Sequence, residues 1–249
     1  ELISLDPALT ARCIQVASSI GFAARPIDSI RQALMMIGVQ QIRRIALAVA
    51  TIGAFSEFKA QVDWRRFWFH NVLVARLTDR VAGTFRQTSG MEYLAGLLHD
   101  VGKILIEHYF PNEFEQVIAD SVQKQCPHAT MEREILGLDH TQIGAAMCEC
   151  MGTHPHVMRA VWFHHDPLNM SHTTDSKGDG GFLAVCVRIA DRLARNVDPQ
   201  PTQPPLSEEQ IVRTPEWVFL QQFFLPQKLE VDVQGEVKKT QEDMAAFLE

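Results

Sequence analysis

The 249-residue chain is 46% hydrophobic and 21% charged, a balance that supplies a substantial core and keeps a globular protein in solution. Its formal net charge of −7 argues against a general nucleic-acid binder. No run of about 18 apolar residues is present to span a bilayer, and the longest candidate, Ile45 to Phe55, has the length of a buried core helix.

Helical periodicity runs from the first residues to about residue 195. Asp6-Pro7 pairs an N-cap type with proline at a first helical position, and Leu9, Cys13, Val16 and Ala17 then share one face. Pro26 breaks that pattern, and Asp28 or Ser29 can cap a second helix that carries Ile30, Leu34 and Ile37 up to Gly38. A third is expected from about Gln40, with Ile42, Ile45, Leu47 and Val49 towards its buried side. Trp64 to Val81 is a long amphipathic segment. Glu92 to Leu98, Phe114 to Gln123, Thr130 to Leu136, His140 to Met151, Val157 to Phe163 and Phe182 to Ala194 complete the series. Strand-type alternation is absent until Leu229 to Val233, so the expected class is all-α.

Two segments read as connections. Asn169 to Gly181 is rich in Ser, Thr, Asp and Gly, and Asn196 to Pro205 holds four prolines that favour an extended spacer. This divides the chain into a helical lobe over 1–60, a larger helical lobe over 61–195, and a Pro-rich linker with an appendage over 196–249, where Trp217 to Leu225 is apolar. The five cysteines, an odd number on mostly helical faces, suggest buried reduced thiols rather than a disulfide framework. No secretory signal opens the sequence, which starts at Glu1 within a helical pattern. The expectation is a cytoplasmic segment of a longer protein.

Chemistry-bearing residues recur in apolar settings. His99-Asp100-Val101-Gly102-Lys103 follows a wholly apolar turn, and Gly102 permits a sharp backbone turn there. A buried imidazole–carboxylate pair requires either a hydrogen-bond network or a cation. His70 follows Trp68-Phe69, His140 follows Leu138-Asp139, the doublet His164-His165 follows Val161-Trp162-Phe163, and Asp191 follows Ile189-Ala190. Each alone has an ordinary structural reading: Asp191, for example, can pair with Arg188, Arg192 or Arg195 on its own helix. Together they supply nitrogen and oxygen donors of the kind that bind iron, manganese, nickel or zinc. Asp139 reads first as an N-cap and secondarily as a carboxylate that orients a ligand ring. His108, His128, His154, His156 and His172 lie in polar or turn contexts and are expected in solvent. So are the basic pairs Arg43-Arg44 and Arg65-Arg66, with Arg66 an alternative anion contact.

The order His70, His99-Asp100, Asp191 resembles the HD superfamily of metal-dependent phosphohydrolases, and His99 to Lys103 matches the HDxGK form of its HD-GYP and HDOD branches. Gly137-Leu138-Asp139-His140-Thr141-Gln142-Ile143-Gly144-Ala145, His164-His165-Asp166-Pro167, Ser4 to Leu9 and Ala33 to Gly38 resemble the HDOD (HD-related output domain) pattern over roughly residues 1 to 195. The resemblance implies an HD-like helical bundle preceded by a smaller helical lobe. It implies a bacterial signal-transduction output domain that binds a signalling protein partner or a nucleotide, without general nucleic-acid or membrane binding. The alternative it implies is a phosphohydrolase acting on a nucleotide or cyclic nucleotide. His70, His99, Asp100, His140, His164, His165 and Asp191 are then the metal ligands for one or two divalent ions. Asp100 is the bridging, catalytic carboxylate and Lys103 faces the substrate phosphate. Three departures stand out: Asp166-Pro167-Leu168-Asn169 replaces the Gly-Tyr-Pro motif, Arg66 stands where some HD-GYP enzymes carry an extra glutamate, and Ser18-Ser19 replaces Asn-Ser. The first two point away from cyclic-dinucleotide hydrolysis.

Overall fold

A computed structural model of the chain describes residues 9–11, 13–15, 29–55, 63–172, 178–197, 206–226 and 231–247. Residues 9–11 and 13–15 are helical. They are followed by α1 (Ile30–Ala54), α2 (Trp64–Phe85), α3 (Met91–Leu98), α4 (Gly102–Tyr109), α5 (Pro111–Lys124) and α6 (His128–Leu136). Then come α7 (His140–Cys150), α8 (Pro155–Phe163), a 3-10 turn (Pro167–His172), α9 (Asp179–Ala194), α10 (Glu208–Ile211), α11 (Pro215–Leu220) and α12 (Val233–Phe247). Among the described residues there is no strand, and the class is all-α.

Local chemistry accounts for most boundaries. The two helices expected on either side of Gly38 are joined end to end as α1, kinked where Gly38 takes φ 82°, a left-handed value that glycine adopts without a Cβ clash. Ser29 caps α1 by accepting from the Gln32 amide, and Asp63 caps α2 through the amides of Arg65 and Arg66. The starts of α5 and α8 lie two or three residues earlier than the apolar pattern indicates, because Pro111 and Pro155 occupy the first turn, where a missing N–H costs nothing.

Other differences are larger. The segment after His99-Asp100 is helical as α4, although its eight residues are too few to show a clear period. The presumed loop Asn169 to Gly181 contains the 3-10 turn and, from Asp179, the first turn of α9 despite its glycine pair; residues 173–177 lie outside the described residues. In the strand candidate Leu229 to Val233, residues 229 and 230 are likewise outside, and Val233 begins α12. The Asp6-Pro7 cap, the Pro26 break and residues 198–205 of the spacer also lie there. All five cysteines are free; Cys13, Cys148 and Cys186 are buried as expected, whereas Cys150 is exposed.

α2 is the axis of the fold. It packs against α3, α9 and α12, while α8 lies across α9, α7 and α3. One apolar core joins Val72, Leu73, Leu77 and Val81 of α2 to Leu97 of α3, Val161 of α8 and Phe182 to Ala190 of α9, and reaches Ile52 of α1, Trp217 of α11 and Val237 of α12. Trp217 meets Phe85 edge-on at 5.0 Å between ring centroids. α12 is also tied to α2 by charge: buried Arg76 pairs with Asp243 and, at 3.3 Å, with Glu236. Of the basic pair Arg43-Arg44, expected in solvent, Arg43 is exposed and Arg44 half-buried, and both fasten α1. Arg43 donates to the Ser89 carbonyl at 2.5 Å and Arg44 pairs with Asp79 on α2.

Candidate metal centre

The histidines and Asp100 gather where helices begin and end. His70 stands in the second turn of α2. His99 and Asp100 occupy the junction between α3 and α4, His140 opens α7, and His164-His165 follow the last turn of α8. His99, Asp100, His140 and His164 are all nearly inaccessible, with His164 at 0%. Helix ends explain the orientation of two rings. Nδ1 of His99 donates to the Gly96 carbonyl and Nδ1 of His164 to the Val161 carbonyl, each at 2.8 Å. Each ring thereby satisfies a carbonyl at the end of its helix, and its Nε2 is left as a bare lone pair aimed into the cluster.

Asp100 lies at the centre. Its Oδ1 is 3.2 Å from His140 Nε2 and 3.7 Å from His164 Nε2, while its Oδ2 is 3.5 Å from His99 Nε2. His165 Nε2 lies 2.9 Å from His140 Nε2. Two donor groups result, Asp100–His140–His164–His165 and His70–His99–Asp100, each with one potential ligand atom per residue within 4.8 Å of the others.

The close approach that assembles the first group depends on Gly102. A Cβ at that position would stand 2.0 Å from the His140 carbonyl oxygen and 2.8 Å from the Gly144 amide nitrogen. Gly102 therefore serves by lacking a side chain where α4 meets α7. A sharp turn, the expectation from sequence, is not its function, since its φ is not positive.

Burial sets the protonation of the rings. Desolvation pushes His99 down to about 4 and holds His164 and His165 well below the usual histidine value, which favours the neutral form of all three rings. Burial also opposes charge on His140, but the Glu132 and Asp100 carboxylates more than offset it and raise that ring to about 9. Glu132, fully buried on α6, receives the His140 main-chain N–H at 2.8 Å and lies 2.5 Å from its Nδ1. A carboxylate behind a ligand imidazole fixes the ring and raises its basicity. Desolvation would raise Asp100 too, yet Lys103, His99 and His140 hold it well below the ordinary carboxylate range.

Several residues expected at the site have other partners. Lys103 Nζ bonds Asp100 Oδ2 at 2.5 Å, in place of the free phosphate-facing position expected for it. Asp191 reaches His70 at 3.4 Å, but its two oxygens accept from Arg195 at 3.0 and 2.7 Å, and it is not in either donor group. Asp139 is an N-cap, accepting from the Thr141 and Gln142 amides, with the Gln142 side chain completing a capping box. His128 is half-buried beside Lys103 and Glu132, and desolvation lowers it to about 4, contrary to its expected solvent position. His154 caps α8 through the His156 amide. Arg66 is exposed. Sequence reasoning missed Glu132 altogether. Its signal was a carboxylate on the helical stripe Ala129–Glu132–Leu136, where a hydrophobic residue would be usual.

A cation fits these residues. His99 Nε2, His164 Nε2 and His70 Nδ1 are buried and find no hydrogen-bond partner among the described residues, and Asp100 Oδ1 has His140 Nε2 at 3.2 Å. Orphaned buried lone pairs of this number are costly without an electrophile.

Comparison with known proteins agrees with this architecture. The family model described as the HDOD domain matches residues 1–167. An HDOD domain protein of unknown function from Geobacter sulfurreducens has the same fold, with a TM-score of 0.76 and 24% identity, covering 100% of this chain and 84% of that one. A protein of Marinobacter aquaeolei VT8, provisionally named for signal transduction, superposes with a TM-score of 0.75 at 20% identity over 100% of this chain and 54% of its own. One from Shewanella amazonensis SB2B, provisionally named a phosphohydrolase, gives a TM-score of 0.69 at 23% identity over 99% and 84%. An uncharacterized protein of Treponema pallidum (strain Nichols) is 22% identical over 182 residues. That match takes in 70% of this chain, which spans about a third (34%) of the relative's length.

Proposed function

The chain belongs to the HDOD domain family, and on that premise we propose that it is a signal-transduction output domain whose buried His/Asp cluster binds a divalent cation as a regulatory or structural ligand. The observation that carries this reading is the convergence of Asp100, His140 and His164, all buried and drawn from separate helices, with half-buried His165 beside them and the Nε2 of His164 without a hydrogen-bond partner among the described residues. The mixture of imidazole nitrogens and carboxylate oxygen suits iron, manganese, nickel or zinc. A cation there joins the α3–α4 junction to the start of α7 and the end of α8, so its binding and release alter how these helices hold together. Such coupling is what an output domain needs to communicate with a partner protein. The provisional signal-transduction name of the Marinobacter neighbour supports the same class. The fold holds no helix, among the described residues, long and apolar enough to cross a membrane, and a cytoplasmic setting is part of the proposal.

The second reading, a phosphohydrolase acting on a nucleotide, is favoured by the two donor groups that share Asp100 and by the name of the Shewanella neighbour. A divalent ion in such a site supplies a Lewis acid for a phosphoryl oxygen and lowers the pKa of water. Asp100 would hold the reacting centre, and Lys103, released from Asp100, would neutralise developing phosphate charge. The deep burial of Asp100, His140 and His164 and the engaged Lys103 weigh against this reading.

Metal analysis of the purified chain, followed by thermal unfolding with and without chelator, tests the first reading. At free metal 100 times Kd, bound ion adds about 2.7 kcal/mol, and chelation should lower Tm accordingly. An unchanged Tm and no retained metal overturn it. Phosphodiester turnover that is lost in Asp100→Ala would establish the second reading in its place.

A further inference from the structure

The two halves of the cluster differ in how their carboxylates are countered. On the side of His140, His164 and His165, the Oδ1 of Asp100 faces only the Nε2 atoms of His140, at 3.2 Å, and His164, at 3.7 Å, with no lysine or arginine on it among the described residues. Glu132 is engaged with His140 behind the ring, outside the ligand face. On the side of His70 and His99, both carboxylates already carry a resident cation. Lys103 Nζ sits on Asp100 Oδ2 at 2.5 Å, the oxygen nearest His99, and Arg195 holds both oxygens of Asp191. Arg195 is 6% exposed and lies one helical turn beyond Asp191 on the same chain segment, so its grip is local to the end of α9. A divalent ion on this side would have to displace an ammonium from one ligand and compete with a guanidinium whose Nη2 reaches both oxygens of the other.

We propose that the centre is asymmetric: one divalent cation binds among Asp100, His140, His164 and His165, while the side chains of Lys103 and Arg195 take the place of a second ion beside His70 and His99. This rests on the metal-binding reading above. Lys103 and Arg195 are then positioning residues. They neutralise Asp100 and Asp191 in a buried site and leave His70 and His99 outside the ion's coordination.

The test is metal stoichiometry on the intact chain. Protein stripped with chelator and equilibrated with Mn²⁺ is desalted, its manganese counted by mass spectrometry, and its electron paramagnetic resonance spectrum recorded. The wild type should retain one ion per chain with an isolated six-line signal. The double variant Lys103→Gln, Arg195→Gln, freed of both resident cations, should retain two, with the line pattern of a magnetically coupled pair. Should the double variant not fold, Lys103→Gln and Arg195→Lys are made singly, and each should show a second ion at raised Mn²⁺ that the wild type lacks. Two coupled ions in the wild type overturn the asymmetry and leave the metal-binding reading intact. One ion in every folded variant also overturns it. A wild type that retains no Mn²⁺ removes both the reading and the inference.

Discussion

Adding a single methyl at residue 102 should dismantle the centre. In Gly102→Ala the new Cβ would lie 2.0 Å from the carbonyl oxygen of His140 and 2.8 Å from the Gly144 nitrogen, all of them backbone atoms that cannot rotate aside. Ordinary carbon–oxygen contact begins beyond about 3 Å, so the starts of α4 and α7 must part by roughly 1 Å. Overpacking of this kind costs about 1–3 kcal/mol. For a chain of this size each kcal/mol is worth about 2–4 °C, so Tm should fall by roughly 2–12 °C. Metal ligation tolerates only about 0.2 Å of displacement, and the same shift carries Asp100 away from His140. Retained Mn²⁺ should therefore fall more steeply than stability. Gly53→Ala is the control: residue 53 is an exposed helical position where a Cβ meets nothing within 4 Å, and the change should stabilise by about 0.5–1 kcal/mol. Calorimetry and metal counting on both variants decide the matter. A Gly102→Ala protein that melts with the wild type and keeps its ion would refute the claim that this contact sets the site.

Further outcomes can be checked independently. Glu132→Gln, which removes the carboxylate behind His140, should weaken Mn²⁺ binding by about 10–100-fold in an equilibrium titration, with helical content by circular dichroism unchanged. Arg76→Ala leaves Asp243 and part of Glu236 without their buried partner; urea unfolding should show a loss of about 3–5 kcal/mol, and a loss below about 1 kcal/mol would contradict the role given to the pair. Stability should also fall with acid at the α12 contact. Burial opposes charge on Glu236, but Arg76, Arg80 and Lys239 overcome it and hold the carboxyl below 4.5 in the folded chain. Its contribution is therefore fully present above the unfolded value of about 4.5 and lost as pH falls through the folded one. Asp243, raised mainly by burial, acts in the opposite sense. Glu236→Gln should flatten the fall of Tm below about pH 4.5, and an unaltered slope would count against the ion pair as its source.

The helices were legible because periodicity is a local property. Trp64 onwards and Phe182 to Ala194 show their buried faces directly, and Ser29 and Asp139 announce the turns they cap. The residue types of the cluster were equally legible, since His99, Asp100, His140 and His164 sit in segments too apolar to face water. What sequence could not convey was the choice among partners. Asp191 had three arginines on its own helix and takes Arg195; Lys103 had solvent or a phosphate and takes Asp100. Glu132 is eight residues from His140, on a different helix, and only the turn at Gly137, with φ 82°, brings the two together. Gly102 misled in an instructive way: glycine signals either unusual torsion or a missing side chain, and a single sequence does not say which.

The distance along the chain between Asp100 and His165 gives the cluster a thermodynamic meaning of its own. An ion gripped by both closes a ring of about 65 residues that contains α4 to α8. Because that ring closes only around the folded cluster, it stabilises by mass action, about 2.7 kcal/mol at free metal 100 times Kd, and not by restricting the unfolded chain as a disulfide does. Unlike a disulfide, such a clasp closes with the supply of metal, opens when metal is withdrawn and needs no redox partner, which would let cation availability govern the lifetime of the folded domain.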